Sequence, residues 1–231
     1  MRDLVRQVTT VRPASLVPEL SLRLAPEPIA PWEATERRAG ALQPPPFWAH
    51  AWPGGLALAR LVLDAPELVR GKRVLDFASG CGVSAIAAAR CGADVVATEV
   101  DAFARAAIEE NAALNEVTLL VTSDDVIDRD DGWDVILVGD VFYQAELSRK
   151  VMAWLLRLHV RGAQVRIGDP GRSFLPMDLL ECVARFEVPP VSSWDSVVDR
   201  PARVWRPRPA LPALARSSQR SPSAVTGSSR G

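Results

Sequence analysis

Nine consecutive residues, Val74-Leu-Asp-Phe-Ala-Ser-Gly-Cys-Gly82, leave this chain few folds to adopt: an apolar strand ends in a carboxylate and turns through two glycines into a helix. Gly80 and Gly82 let backbone approach a ligand closely, and the small residues of Ser84-Ala-Ile-Ala-Ala-Ala89 let the next helix lie tight on a sheet. Such a turn cradles a nucleotide cofactor. Two readings compete for it. Gly80-x-Gly82-x-x-Ala85, with Glu99 further along to hold a ribose, fits the dinucleotide fingerprint. Asp76, four residues before Gly80, favours S-adenosylmethionine, whose ammonium and sulfonium charges suit an acidic strand end better than pyrophosphate does.

The text around the cradle sets the architecture. Strands are expected at Arg73 to Phe77, Asp94 to Thr98, Val117 to Val121, Asp134 to Val138 and Gln164 to Ile167. Helices are expected after Gly82 through Arg90, over Ala102 to Leu114 and over Glu146 to His159. A further helix, Leu56 to Leu63, precedes the first strand, and another is expected over Asp178 to Phe186. Phe186-Glu-Val-Pro and Ala202-Arg-Val-Trp205 then read as a closing antiparallel pair, which separates a methyltransferase sheet from a six-stranded dinucleotide fold. The expected fold is α/β, a doubly wound seven-stranded, mostly parallel sheet with helices on both faces. Its ligand site lies at the carboxyl ends of the strands.

Three parts are expected. Residues 1–45 read as an accessory arm, proline-rich, with a possible edge strand at Leu20-Ser-Leu-Arg-Leu24. Residues 46–205 form the cofactor-binding domain. Residues 206–231 carry five arginines and no acidic residue among proline, serine and glycine, and are expected to be a disordered basic tail.

Composition removes several function classes. With 231 residues and 48% hydrophobic content, the chain can bury one sizeable core but not two. A net charge of -1 gives no footprint for nucleic acid, and no apolar run reaches membrane-spanning length. A cytoplasmic monomer is expected. Cys81, Cys91 and Cys182 have no paired-ligand spacing and read as small buried or half-buried hydrophobes. His50 and His159 lack a third ligand, so no metal site is expected.

Residues at the strand ends supply the candidate site. Glu99 can accept hydrogen bonds from both ribose hydroxyls, while Asp101 reads as a helix N-cap. Asp124 and Asp125 end the third strand, where Asp125 is favoured to meet the adenine amino group, against a solvated acidic turn. Gly139-Asp-Val-Phe-Tyr143 puts Asp140 and Tyr143 at the mouth where a reactive methyl would lie. Gly168-Asp-Pro-Gly-Arg172 ends the fifth strand in a tight turn, with Gly171 suited to positive φ and Arg172 over the same mouth. Trp48 and Trp52 flank His50 and serve equally well as cofactor walls or as core. The cofactor set is therefore Trp52, Asp76, Gly80, Gly82, Glu99, Asp125 and Asp140, and the reacting pair is Asp140 and Tyr143.

Four segments, Pro46-Phe-Trp-Ala-His-Ala-Trp-Pro-Gly-Gly55, the glycine turn, Gly-Asp-Val-Phe-Tyr and Gly-Asp-Pro-Gly-Arg, together resemble the class I methyltransferases that modify lysines of the electron transfer flavoprotein beta subunit. The resemblance covers about Pro13 to Trp205, and Pro31-Trp-Glu-Ala-Thr-Glu36 is similar to the bacterial members. It implies S-adenosylmethionine as cofactor, that flavoprotein subunit as partner, and a catalytic role for Asp140 and Tyr143. Two positions depart from the pattern. Ala78 replaces a common first glycine, which is tolerable at negative φ, and Ala-Arg-Val-Trp205 stands where relatives have Thr-Thr-Val-Trp. A neutral lysine amine is expected to attack in line, with Asp140 orienting the incoming ammonium and Tyr143 directing the lone pair. The alternatives are a small-molecule N-methyltransferase with a nicotinamide-like acceptor, methylation of another protein, and a non-catalytic cofactor-binding module.

Overall fold

The structure, a computed structural model, describes residues 1–188 and 201–209. Five strands follow the expected order: β3 (Arg73–Phe77), β4 (Asp94–Thr98), β5 (Leu120–Thr122), β6 (Val135–Gly139) and β7 (Gln164–Asp169). They pair in parallel, and β8 (Leu180–Phe186) and β9 (Ala202–Pro207) add an antiparallel edge. The sheet has seven strands in the order β5-β4-β3-β6-β7-β9-β8. The order reverses between β3 and β6, so their carboxyl ends form the crevice where ligands bind in such sheets. The antiparallel edge also separates this sheet from the six-stranded dinucleotide fold.

Helices cover both faces because the parallel strands are apolar on both sides. On one face, α3 (Pro53–Asp64) and α4 (Val83–Arg90) bury Leu56, Leu58, Val62, Ala85 and Ile86 against Val74 and Val95. On the other, α6 (Ala145–Arg161) buries Val151, Trp154, Leu155 and Leu158 against Leu75, Ile136 and Val165. On the α3 and α4 side, α5 (Ala102–Leu114) adds Ile108 and Ala112 to the core and starts at Asp101, whose carboxylate accepts from the Phe103 amide at 2.8 Å as expected of an N-cap.

The N-terminal segment has more order than its composition suggested. It forms α1 (Arg2–Val8), a hairpin of β1 (Thr10–Pro13) with β2 (Ser21–Leu24), and α2 (Ile29–Ala39). Leu20, Leu22 and Leu24 enter the same core as α3 and α4. Asn111 of α5 and Asn115 at its C-terminal end tie the hairpin down. Asn115 exchanges bonds with the Ser21 backbone, and Asn111 accepts from the Arg23 amide at 2.7 Å. Arg6 adds an ion pair with Glu110 at 2.7 Å.

Several expectations need correction. The helix expected over Asp178 to Phe186 is absent: residues Met177–Leu179 make one 3-10 turn and the rest is β8. Seven residues of mixed polarity satisfy either period, and pairing with β9 decided the outcome, with a register shift between Cys182 and Ala184. The first strand of the closing pair is thus Leu180–Phe186, upstream of the expected Phe186 start. β5 begins at Leu120 because Val117 still donates to the Ala112 carbonyl and Glu116 takes φ +57°, extending the end of α5. Cys182 is exposed on the edge strand β8, not buried. Of the basic tail, only residues 206–209 lie within the described residues.

Candidate active site

The turn after β3 is held from below by Asp76. This carboxylate is 1% exposed and accepts from the Ser79 hydroxyl and, at 3.1 Å, from the Ala85 amide. Burial outweighs those bonds and pushes its pKa up to about 7. Gly80 and Gly82 take φ of +57° and +84°. A side chain at Gly82 would press on Ile108 of α5 at 3.2 Å, while the space outside Gly80 is open. Ala78 departs from expectation: its φ is +53°, in the region that favours glycine. The turn is therefore strained at the position where the first glycine is missing.

Glu99, just beyond β4, accepts from the Gly80 amide at 3.1 Å and from the Asp101 amide at 3.2 Å. Each carboxylate oxygen keeps a second lone pair for a ligand. Burial raises its pKa. Asn111 supports the same turn from behind, donating to the Cys81 carbonyl at 2.9 Å. Cys81 is buried and its thiol is pushed up to about 12, so it is an inert hydrophobe, as expected.

Across the crevice, a corner forms where α3 meets the ends of β6 and β7. Gly54 and Gly168 touch backbone to backbone; a side-chain carbon on either would come within 2.0 Å of the other's carbonyl oxygen. This approach lets Asp140, at φ +57°, turn back over the helix N-terminus. Its amide donates to the Gly168 carbonyl at 2.9 Å, and its Oδ2 accepts from the Gly55 amide at 3.1 Å. Its Oδ1 takes both ends of the Arg172 fork, from Nη2 at 2.8 Å and Nε at 3.2 Å. Burial raises the Asp140 pKa, and Arg172 works against that. The side chains of this pair are 13% and 10% exposed, so it is largely shielded from solvent.

Arg172 also lies 5.7 Å from the centre of the Trp52 ring, over the crevice mouth as expected. Gly171 has φ +99°, as its turn required. Beneath it, Asp169 is fully buried and accepts from the Gly171 and Arg172 amides at 2.7 Å each. Burial and the neighbouring Asp140 push the Asp169 pKa up to about 6. Phe47, Trp52 and Tyr143 form an aromatic rim, with Phe47 centred 5.8 Å from Trp52 and 6.0 Å from Tyr143. Trp48 has the other fate open to it: it stacks on Phe103 in a core of its own.

His50, Trp52, Gly55, Asp76, Ser79, Gly80, Gly139 and Asp140 thus border one cleft. Gly82 and Glu99 brace it, and Tyr143 stands at the rim. Asp125 is exposed beyond β5 and caps the Ile127 amide at 3.0 Å, outside the cleft wall. Sequence reading passed over Gly54, Gly55 and Gly168, whose role exists only where distant backbone segments meet. A larger hollow of about 390 Å³ opens between α6 and residues 174–179, but its walls are almost wholly apolar and include no carboxylate. The polar groups at the strand ends, rather than the hollow of about 40 Å³ that they border, suit S-adenosylmethionine. They offer a buried acid, a paired acceptor at Glu99 and open backbone at Gly80, and the Gly80 amide that a pyrophosphate would take is already capped by Glu99.

Known proteins agree with this architecture. Residues 58–139 match the family described as ribosomal protein L11 methyltransferase (PrmA). The electron transfer flavoprotein beta subunit lysine methyltransferase of Danio rerio is 41% identical over 204 residues, covering 85% of this chain and 78% of that protein. Its Xenopus laevis counterpart is 42% identical over 178 residues, covering 74% and 71%. Among solved structures, the T. thermophilus 16S rRNA methyltransferase RsmC shares the fold at a TM-score of 0.52 and 17% identity, over 82% of this chain and 47% of that one. The chain belongs to the electron transfer flavoprotein beta subunit lysine methyltransferase family.

Proposed function

We propose that this enzyme methylates lysine side chains of the electron transfer flavoprotein beta subunit with S-adenosylmethionine as donor. The observation that carries the proposal is the facing of two halves across one cleft, the Asp76 to Glu99 cradle and the Asp140–Arg172 corner, in a chain of this family. When bound, S-adenosylmethionine supplies an electrophilic methyl group on a sulfonium. Glu99 would hold the ribose hydroxyls, and Asp76 and the Gly80 to Gly82 turn the amino-acid end; Asp125, whose Oδ1 caps the Ile127 amide, would meet the adenine amino group with its other oxygen from beyond the cleft wall. Trp52 would wall the cleft.

The corner serves the acceptor. A lysine reacts only through its neutral amine, so a lone negative charge beside it would hold the wrong protonation state. Asp140 does not present one: Arg172 compensates its charge at 2.8 Å. Asp140 therefore acts mainly through the ion pair that fixes the corner, and Tyr143 directs the amine through its hydroxyl. Tyr143 and Phe47 are 46% and 43% exposed. A rim this open admits a side chain carried on a protein surface, which favours a protein acceptor over a small enclosed amine. Most of the rate comes from alignment of the reacting atoms.

Incubation with labelled S-adenosylmethionine and the flavoprotein from the same cell tests this. Label on the beta subunit, lost with Tyr143→Phe, is the expected result. An unlabelled flavoprotein with intact cofactor binding would redirect the search to another protein or a small amine.

A further inference from the structure

His50 borders the cleft but takes no part in the roles above. It sits between the Phe47–Ala49 turn and the start of α3, with its ring edge-on to Trp52 at 6.0 Å. The residue is 1% exposed, and Nδ1 and Nε2 are both buried without a hydrogen-bond partner among the described residues. Burial, helped by the charge of Arg12, lowers its pKa to about 4, so near pH 7 the ring is neutral and carries one N–H donor and one acceptor. A buried polar ring with both positions unmet is disfavoured against an apolar ring of like size. The arrangement makes sense if a ligand completes it.

The cleft has two walls of opposite character. Asp76 and the Ser79–Gly80 turn form an acidic wall, which suits an ammonium. His50, beside the start of α3, forms the other: there the Gly55 amide is already taken by Asp140, whose charge Arg172 compensates, so the ring N–H of His50 is the donor left unmet and can meet a carboxylate. A zwitterionic α-amino acid group matches both at once. We propose that His50 donates a ring N–H to the α-carboxylate of the cofactor's amino-acid end and thereby selects nucleosides that carry it. The inference rests on the cofactor reading above, and goes beyond it by assigning the carboxylate subsite.

Titration calorimetry with S-adenosylhomocysteine and with its decarboxylated analogue tests the assignment. His50→Phe lowers affinity for S-adenosylhomocysteine about tenfold, as the loss of a hydrogen bond to a charged group predicts, and leaves the analogue within about twofold. His50→Asn, which keeps a donor, restores part of the loss. Equal losses for both ligands, or none, would overturn the proposal. Failure of the wild-type protein to bind S-adenosylhomocysteine at all would strike the cofactor reading instead. Nitrogen NMR of the unmutated protein gives a second readout, since His50 and His159 are its two histidines. S-adenosylhomocysteine shifts the His50 N–H signal and the decarboxylated analogue does not; an unmoved signal with bound S-adenosylhomocysteine would contradict the assignment.

Discussion

The two halves of the cleft are built on different principles. The cradle is local: Asp76, Ser79, Gly80 and Ala85 lie within one strand-turn-helix, and Thr98, Glu99, Ile108 and Asn111 reach in from the next unit. The corner is assembled from three distant segments, around Gly54, Asp140 and Arg172, held by backbone contact and a shielded ion pair. A local cradle tolerates changes elsewhere in the chain. A corner made of long-range contacts depends on every segment that meets there.

The strongest way to break that contrast is at the glycine contact. Gly168→Ala would set a carbon 2.0 Å from the Gly54 carbonyl oxygen, and neither backbone can yield cheaply. We expect a loss of roughly 3 kcal/mol or more in chemical denaturation. Gly40→Ala, at φ +66° with open space around it, costs only about 1 kcal/mol. Similar losses for the two would remove the claim that close packing builds the corner.

Arg172→Leu comes next. It leaves the Asp140 carboxylate shielded and uncompensated, and should cost about 3 kcal/mol. Asp140→Asn in the same background recovers part of this loss, because the amide needs no counter-charge. An additive double mutant would deny the coupling.

Asp76 makes a prediction about pH. Its folded pKa of about 7 exceeds the ordinary 3.8, so the folded state holds a proton that the unfolded state has released. Stability from this group is present below about pH 4 and is lost as pH rises through about 7. Asp169, raised to about 6, acts in the same direction. Asp76→Asn should therefore gain on the wild type by a few kcal/mol between these limits. Unfolding midpoints across that range check this, and parallel pH profiles would refute it. The smallest effect belongs to Ala78→Gly, which relieves a φ of +53° and should stabilise the chain by about 1 kcal/mol.

The same division decides what could be read in the sequence. The cradle was legible because strand end, carboxylate and glycines are neighbours in the chain, and their spacing alone fixes the geometry. The parallel sheet was legible from alternation of elements, and the presence of an antiparallel edge from two strand-like runs, of which the one at Ala202–Pro207 stands where it was expected. Gly54 and Gly168 were not legible, since a glycine that admits another backbone looks the same in sequence as one that makes a turn. Alanine at position 78 is tolerable at negative φ, yet the turn sets it at +53°. The β8 segment failed for want of length: seven residues carry too little periodicity to choose helix or strand before β9 pairs with them. His50 was visible as a residue and invisible as a site, because only burial reveals its unpartnered nitrogens.

The division of labour between cradle and corner is tested most directly by calorimetric binding of S-adenosylhomocysteine to Glu99→Gln and Tyr143→Phe. The account predicts that Glu99→Gln weakens binding about tenfold while Tyr143→Phe binds like the wild type. Loss of affinity in Tyr143→Phe comparable to that in Glu99→Gln would place Tyr143 on the cofactor and contradict the assignment of the corner to the acceptor.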